Sequence, residues 1–554
     1  MILRAHDAKA GQRWLWAALL LLLWLPGLGD RALTRPDEGR YAEIGREMAQ
    51  SGDWITPHLN GIPYYEKPPL QYWATAVAVD MLGPTPLAAR LWTGLLGLLG
   101  LAAAAFFGRR LFGMEAGQRA PWILGSMVYY SALGHINTLD MGVSVWMFVA
   151  IGCFLMAQQE RPLAWMMGAW AAATLGFLSK GLMALALPGA TLVIYTLFTR
   201  DTSPWKRLAL LPGLALMMLM TVPWFWQAWQ VHPPFLSFFF IHEQFDRYTS
   251  TIHQRVEPIW YFLPILLAGL WPWTWIAFQA LRDVLWRHHG RQFSPSRFLG
   301  LYAVFVVLFF SLSDSKLPDY ILPAFPALAL LTARHLALRP ASLPASPAWL
   351  LSAGGGLLGL IALLLSFPGL RQQLGLHLDL DADMIDGYRH FARWIGAAAM
   401  LSMGAGGYHL IRQRHHLATP LHHLALAALG AAQLLLVGSD ALAATQSGHD
   451  LARLLGPRFQ TASHIYSVDT YDQTLDYYLQ RTVVPVAYSD EMAFGLSLEP
   501  HHAIPSLEAF RNVWEHDAQA LAILPPPLFN RLSRQGFTFH VLFQDAHRVI
   551  VARS

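Results

Sequence analysis

The scarcities in this sequence narrow its class first. Only 13% of its 554 residues carry charge, about half the share of an ordinary soluble domain. So few charges cannot cover a water-exposed surface of this size, which excludes a soluble globular enzyme. There is one cysteine, Cys153, and it sits inside an apolar run, so no intrachain disulfide can staple the fold. The net charge is only +4, and the basic residues are scattered rather than gathered into the stripe that nucleic acid requires; no nucleic-acid partner is expected. No P-loop pattern occurs, so no nucleotide cofactor is expected. There is no internal repeat and no low-complexity linker. The missing repeat weighs against a transporter built from two inverted halves.

Apolar residues are abundant, at 55% of the chain, and mean hydropathy is +0.35. Apolar runs near 14–29, 86–108, 120–134, 139–157, 163–179, 182–199, 208–226, 259–281, 298–313, 317–335, 348–367, 391–411 and 420–438 predict a polytopic α-helical membrane protein with 13 spans. The first run is read as a retained anchor, because no small-residue cleavage site follows it. Arg109 and Arg110, Arg161, Lys206 and Arg207, Arg282 to Arg297, Arg334 to Arg339, and Arg412 with Arg414 fall in alternate loops. Those loops are expected to be cytoplasmic, with the N-terminus. The loops 30–85 and 227–258 and the tail then lie on the outer side. Residues 1–440 are expected to form the membrane domain. In 441–554 the runs HIYSV, TVVPVA, LAIL and RVIVA alternate with polar helical stretches, which predicts a small α/β domain.

Charge gathers on the outer side. RPDEGRYAEIGREMA (35–49) follows the first span. Pro36 suits a first helical turn, and Asp37 and Glu38 suit its positive end. Tyr41, Ile44 and Met48 share one face, which predicts an amphipathic helix lying on the membrane surface, with Glu43, Arg46 and Glu47 solvated. Asp37, at the membrane junction, is the exception expected to face a cavity. YYEKPPLQYW (64–73) places Glu66 and Lys67 between tyrosines and two prolines; an aromatic belt with an interfacial ion pair is the plain alternative. Asp140, Lys180, His242, Arg247, Lys316 and Tyr320 fall at span ends on the same side. Any one alone reads as a snorkelling anchor. Together they supply lysines and an arginine for a phosphate, tyrosine donors and carboxylates at one membrane depth, an inventory suited to a lipid-phosphate head group. His242 and Glu66 could share a metal.

DEGRYAEIGREMAQSGDWITP (37–57), YEKP (65–68), SKG (179–181), SKLPDYILP (315–323), YDQTLDYYLQRTV (471–483) and DEMAFG (490–495) resemble the aminoarabinose transferases. These are bacterial relatives of the protein O-mannosyltransferases with the GT-C glycosyltransferase fold. The resemblance implies thirteen transmembrane helices and a small C-terminal periplasmic α/β domain, in the bacterial inner membrane. It implies transfer of 4-amino-4-deoxy-L-arabinose from undecaprenyl phosphate to lipid A or another periplasmic acceptor. It also implies roles: Asp37 as the essential first-loop aspartate, and Asp140 and Lys180 as an acid and a lysine near the donor. Tyr41, Tyr64, Lys67, Arg247 and Tyr320 would surround the donor phosphate, to which the position of Lys316 adds a further cation. Glu66 and His242 would hold a zinc-like divalent metal. A transferase of the same fold acting on a protein or another glycan is the nearest rival, and a lipid or sugar transporter the more distant one.

Overall fold

The computed structural model describes residues 18–246, 257–286, 293–338, 382–401 and 418–553, with isolated positions at 360, 404, 408 and 412. The apolar run at 348–367, but for position 360, and the candidate Arg247 lie outside the described residues. Among the described residues, five helices are long and apolar enough to cross a membrane: Pro86–Phe112, Leu139–Ala157, Leu210–Val231, Pro295–Leu312 and Leu421–Ala441. The pair Phe262–Gly269 and Thr274–Trp286 makes a further broken span, bent by 109°. Helices Pro162–Lys180, Met183–Thr199 and Ala324–Leu338 lie on the expected runs at 163–179, 182–199 and 317–335, and Ala382–Ala399 reaches into the run at 391–411.

Three runs expected to be continuous are interrupted. The run at 120–134 breaks at Met127, whose extended backbone separates Met114–Ser126 from Val128–Leu133. The run at 259–281 bends where Pro272 withholds its N–H. The run at 317–335 becomes helical only from Ala324, after a 3-10 turn over Pro318–Ile321. Pro318 and Pro323 restrict the residues before them and delay the helix. The interruptions at 317–323 matter for function, because they leave short polar loops at the end of the bundle.

The tail forms a five-stranded mixed sheet. After a two-stranded hairpin of β1 (His58–Leu59) and β2 (Ile62–Pro63), its strands are β3 (Ile465–Val468), β4 (Val484–Val486), β5 (Leu521–Leu524), β6 (His540–Gln544) and β7 (Val549–Ala552). The order is β4-β3-β5-β7-β6. β3 pairs in parallel with β4 and β5, and β7 runs antiparallel to β5 and β6. Four of these strands lie on the four β-rich runs of the sequence. β6 is the addition: it is an edge strand, partly exposed, with an irregularity between Val541 and Phe543, so its sequence lacks a buried alternation.

The helix Asp37–Ser51 does not lie on a membrane surface with its charges in water. It is sandwiched between the membrane bundle and the tail domain. Glu43 and Arg46 are buried and Glu47 nearly so, which corrects the solvated reading. Glu43 takes Arg46 in a two-pronged bond, Nε to Oε2 at 2.6 Å and the second prong at 2.5 Å. Glu47 accepts the Gly61 N–H at 2.9 Å. Such charges tolerate burial because each finds a partner. The close fit is visible at Gly39, where a Cβ would come within 2.5 Å of the Gln473 carbonyl oxygen. The hairpin turn Asn60-Gly61 has both residues at positive φ, as its tight turn demands. Asn60 also bridges the two domains, donating to the Val483 carbonyl at 2.8 Å and accepting its N–H at 2.7 Å.

Candidate active site

Asp37 opens the sandwiched helix and keeps about a third of its side chain exposed, unlike the residues that follow it. Arg40, one turn on, donates to it at 3.1 Å and reaches Glu491 of the tail domain at 3.5 Å. Glu491 is itself held by Gln473 at 2.8 Å. The tail domain therefore helps aim Arg40, a residue that sequence reasoning passed over. The signal was its spacing, three residues after Asp37 on the same helical face.

Beside Arg40 lies a group of tyrosines. Tyr41 and Tyr72 pack with ring centroids 6.1 Å apart, and Tyr64 is buried beside them. The hydroxyls of Tyr64 and Tyr72 and the Nε of Arg40 are buried without a hydrogen-bond partner in the protein. Buried polar groups are ordinarily satisfied, so such a set is an observation that calls for an explanation. Burial, with the charge of Glu66 added, raises the Tyr64 phenol well above its ordinary range, so it stays a donor.

Lys67 sits on the same hairpin side. It bonds the buried Glu243 at 2.7 Å and approaches Glu66 at 3.7 Å. Glu243 was not foreseen; its neighbour His242 drew attention instead. Both belong to the π-helical turn Phe238–Asp246, and the His242 ring stacks on Phe238 at 5.3 Å. The backbone thus carries His242 to the end of the bundle that also holds Lys67.

A second cluster forms where three helices end. Asp140, in the first turn of Leu139–Ala157, is ion-paired with Lys180, the last residue of Pro162–Lys180. Lys180 lies over the Tyr320 ring at 5.0 Å. Asp319, next to Tyr320, is the residue missed here. Burial pushes its carboxyl up to about 7, with Asp140 and Asp37 adding to the rise and Lys180 opposing it. Lys316 is buried and its Nζ bonds the Ser313 carbonyl at 2.5 Å, bracing its own loop.

Glu38 proves structural in a way its neighbour Asp37 does not. It takes Arg90 in a fork, at 2.6 and 2.8 Å, and accepts both donors of Thr34 at 3.0 Å and the Asn137 N–H at 3.0 Å. Burial alone would raise its pKa; the guanidinium of Arg90 overrides this and holds the carboxyl down to about 2. The clue in the sequence was Arg90 inside an apolar run, since such a charge needs a partner.

The geometry agrees with what known proteins share with this chain. A family model for the aminoarabinose transferase C-terminal domain matches residues 451–553, and one for dolichyl-phosphate-mannose-protein mannosyltransferase matches residues 66–227. The undecaprenyl phosphate-alpha-4-amino-4-deoxy-L-arabinose arabinosyl transferase of Edwardsiella ictaluri is 34% identical over 331 residues, which is 58% of each chain; the match thus spans under two thirds of that curated relative. The crystal structure of ArnT from Cupriavidus metallidurans bound to undecaprenyl phosphate is 34% identical and superposes with a TM-score of 0.88 over 98% of both chains. The Archaeoglobus fulgidus oligosaccharyltransferase, at 12% identity and a TM-score of 0.50 over 97% of this chain and 74% of its own, shares the fold alone. With a GT-C membrane bundle, an aminoarabinose transferase C-terminal domain and a full-length structural match at this identity, the chain belongs to the aminoarabinose transferase family.

Proposed function

We propose that the protein is a glycosyltransferase of the bacterial inner membrane that moves 4-amino-4-deoxy-L-arabinose from undecaprenyl phosphate to a lipid A phosphate on the periplasmic side. In this reading the N-terminus is cytoplasmic, and the chain divides near residue 440 into a catalytic membrane domain and a periplasmic domain. The observation that carries the proposal is the set of buried donors without protein partners, Arg40 Nε, Tyr64 Oη and Tyr72 Oη, beside Lys67. Donors converging in a dry site suit an anionic group, and a sugar phosphate supplies both the anion and the hydroxyls.

The reaction is an inversion at the anomeric carbon. An acceptor phosphate oxygen forms a bond to that carbon as the bond to undecaprenyl phosphate breaks, and the electron pair leaves with the phosphate. Lys67, Arg40 and Tyr64 stabilise the charge that grows on the leaving group, with Tyr41 and Tyr320 around it, which is the largest source of catalysis in such sites. Lys316 braces the loop that carries Tyr320. A phosphate acceptor needs no base, so Asp37 positions the acceptor, and Asp140 and Asp319 face the sugar's amino group with Lys180 fixing their geometry. Glu66 and His242 would hold a divalent metal, which would add positive charge near the phosphates.

The test supplies undecaprenyl-phosphate aminoarabinose and lipid A to the purified chain in lipid, as wild type and Asp37→Asn. A gain of one aminoarabinose mass on lipid A with wild type, reduced at least about 100-fold in the variant, is expected. Donor consumption with a protein or glycan acceptor but not with lipid A would overturn the acceptor assignment and retain the transferase.

A further inference from the structure

We infer that the tail domain carries a second metal site, formed by Glu499, His501 and His502, separate from Glu66 and His242. Among the described residues these three form the group whose ligand atoms, one per residue, all lie within 4.8 Å of one another. Glu499 and His502 are already 3.0 Å apart, Oε2 to Nε2, and the rings of His501 and His502 lie 4.2 Å apart. A tetrahedral zinc ion held at about 2.0–2.1 Å needs donors spaced on the order of 3.4 Å, so a small movement of one exposed imidazole closes the set. Two imidazoles and a carboxylate suit zinc, with water in the fourth position; they do not suit calcium or magnesium, which take oxygen ligands.

The backbone pre-arranges these donors. Glu499 ends the helix Ala493–Leu498, with its N–H on the Gly495 carbonyl at 2.9 Å. Pro500 starts the 3-10 turn that holds both histidines, and the N–H of His502 returns to the Glu499 carbonyl at 3.3 Å. Beyond the turn, Ile504 bridges to Val486 of the sheet. A fixed φ at proline and anchors on both flanks lower the entropy cost of gathering three ligands.

The location gives the ion a role. The helix leading into the site presses Gly495 against the Pro63 carbonyl of β2, so closely that a Cβ would meet that oxygen at 2.1 Å. Phe494 of the same helix stacks on Phe238 at 3.9 Å, and Phe238 begins the turn that carries His242 and Glu243. His502 also lies against the hairpin turn at Gly61. A metal here stiffens the corner where the tail domain meets both the Lys67 hairpin and the Glu243 turn, and so stabilises the docked arrangement without touching substrate.

The experiment titrates zinc into the full chain in lipid nanodiscs after chelator treatment, following stoichiometry and melting temperature. It compares wild type, His501→Ala with His502→Ala, and Glu66→Gln with His242→Ala. The first double variant is expected to lose one equivalent of zinc, weakened at least about 100-fold with two of three ligands gone, together with the zinc-induced rise in melting temperature. The second loses at most the equivalent assigned to Glu66 and His242, and keeps the tail-domain equivalent with its rise in melting temperature. X-ray absorption on the zinc-loaded second variant should show two nitrogen ligands and oxygen, a readout that survives if the histidine variant folds poorly. Equal stoichiometry and affinity in wild type and the His501/His502 variant would overturn the site. So would zinc uptake by wild type only at millimolar concentration, the mark of an adventitious ion.

Discussion

Glu38 and Asp37 are adjacent carboxylates with opposite fates. Glu38 is saturated by Arg90, Thr34 and Asn137, while Asp37 shares one arginine and keeps a face open. Because the folded pKa of Glu38 is depressed to about 2, its stabilisation is present above the usual glutamate range. It is lost as pH falls from about 4.3 towards the folded value. Glu38→Gln should therefore lower stability at neutral pH by about 3–5 kcal/mol, the cost of stranding buried Arg90, and reduce the acid sensitivity of what remains. Thermal unfolding of both chains from pH 7 to pH 3 checks this. Asp319 is displaced the other way, to about 7. Its charge appears only as pH rises through that value, where it would attract the amino group of the sugar. The donor KM of wild type should fall several-fold between pH 6 and 8, and Asp319→Asn should flatten that dependence while the folded state persists.

The helix Asp37–Ser51 shows where sequence reading succeeds and where it stops. Its start and its face of Tyr41, Ile44 and Met48 were legible, because charge placement and period are local properties. Its second buried face was not. Glu43, Arg46 and Glu47 look solvated in a helical wheel, yet all three are buried: Tyr471 and Asp476, more than four hundred residues away, lie close enough to act on their charges, and the Gly61 turn covers Glu47. The same holds for Arg40 and Glu243, whose partners Glu491 and Lys67 are remote in sequence. By contrast the Asp140, Lys180 and Tyr320 cluster was legible, since charges at the ends of apolar runs must share one membrane depth. The helix also predicts a steric result. Gly39→Ala would drive a methyl into the Gln473 carbonyl. It should cost about 1–3 kcal/mol of overpacking, seen as a lower melting temperature and faster proteolysis between residues 440 and 450.

At the scale of the molecule, the tail domain is part of the site's construction. It aims Arg40 through Glu491, covers the helix that bears Asp37, and locks the Lys67 hairpin through Asn60 and Val483. A chain ended at residue 446 should thus expose Arg46 and Glu43 to water, lose transfer activity by at least about 100-fold, and melt at lower temperature. Adding the separate domain in excess and measuring restored transfer checks whether docking alone suffices. The sandwiched helix has one further consequence, which concerns traffic. In the proposed reaction both substrates are lipids, so with the tail domain packed on this helix they reach the open side of Asp37 by sliding within the plane of the bilayer. The quantity that sets turnover is then the number of donor and acceptor molecules per unit area of membrane. Diluting the same lipids with inert phospholipid at constant bulk amount should slow the enzyme, whereas enlarging the volume of buffer should not.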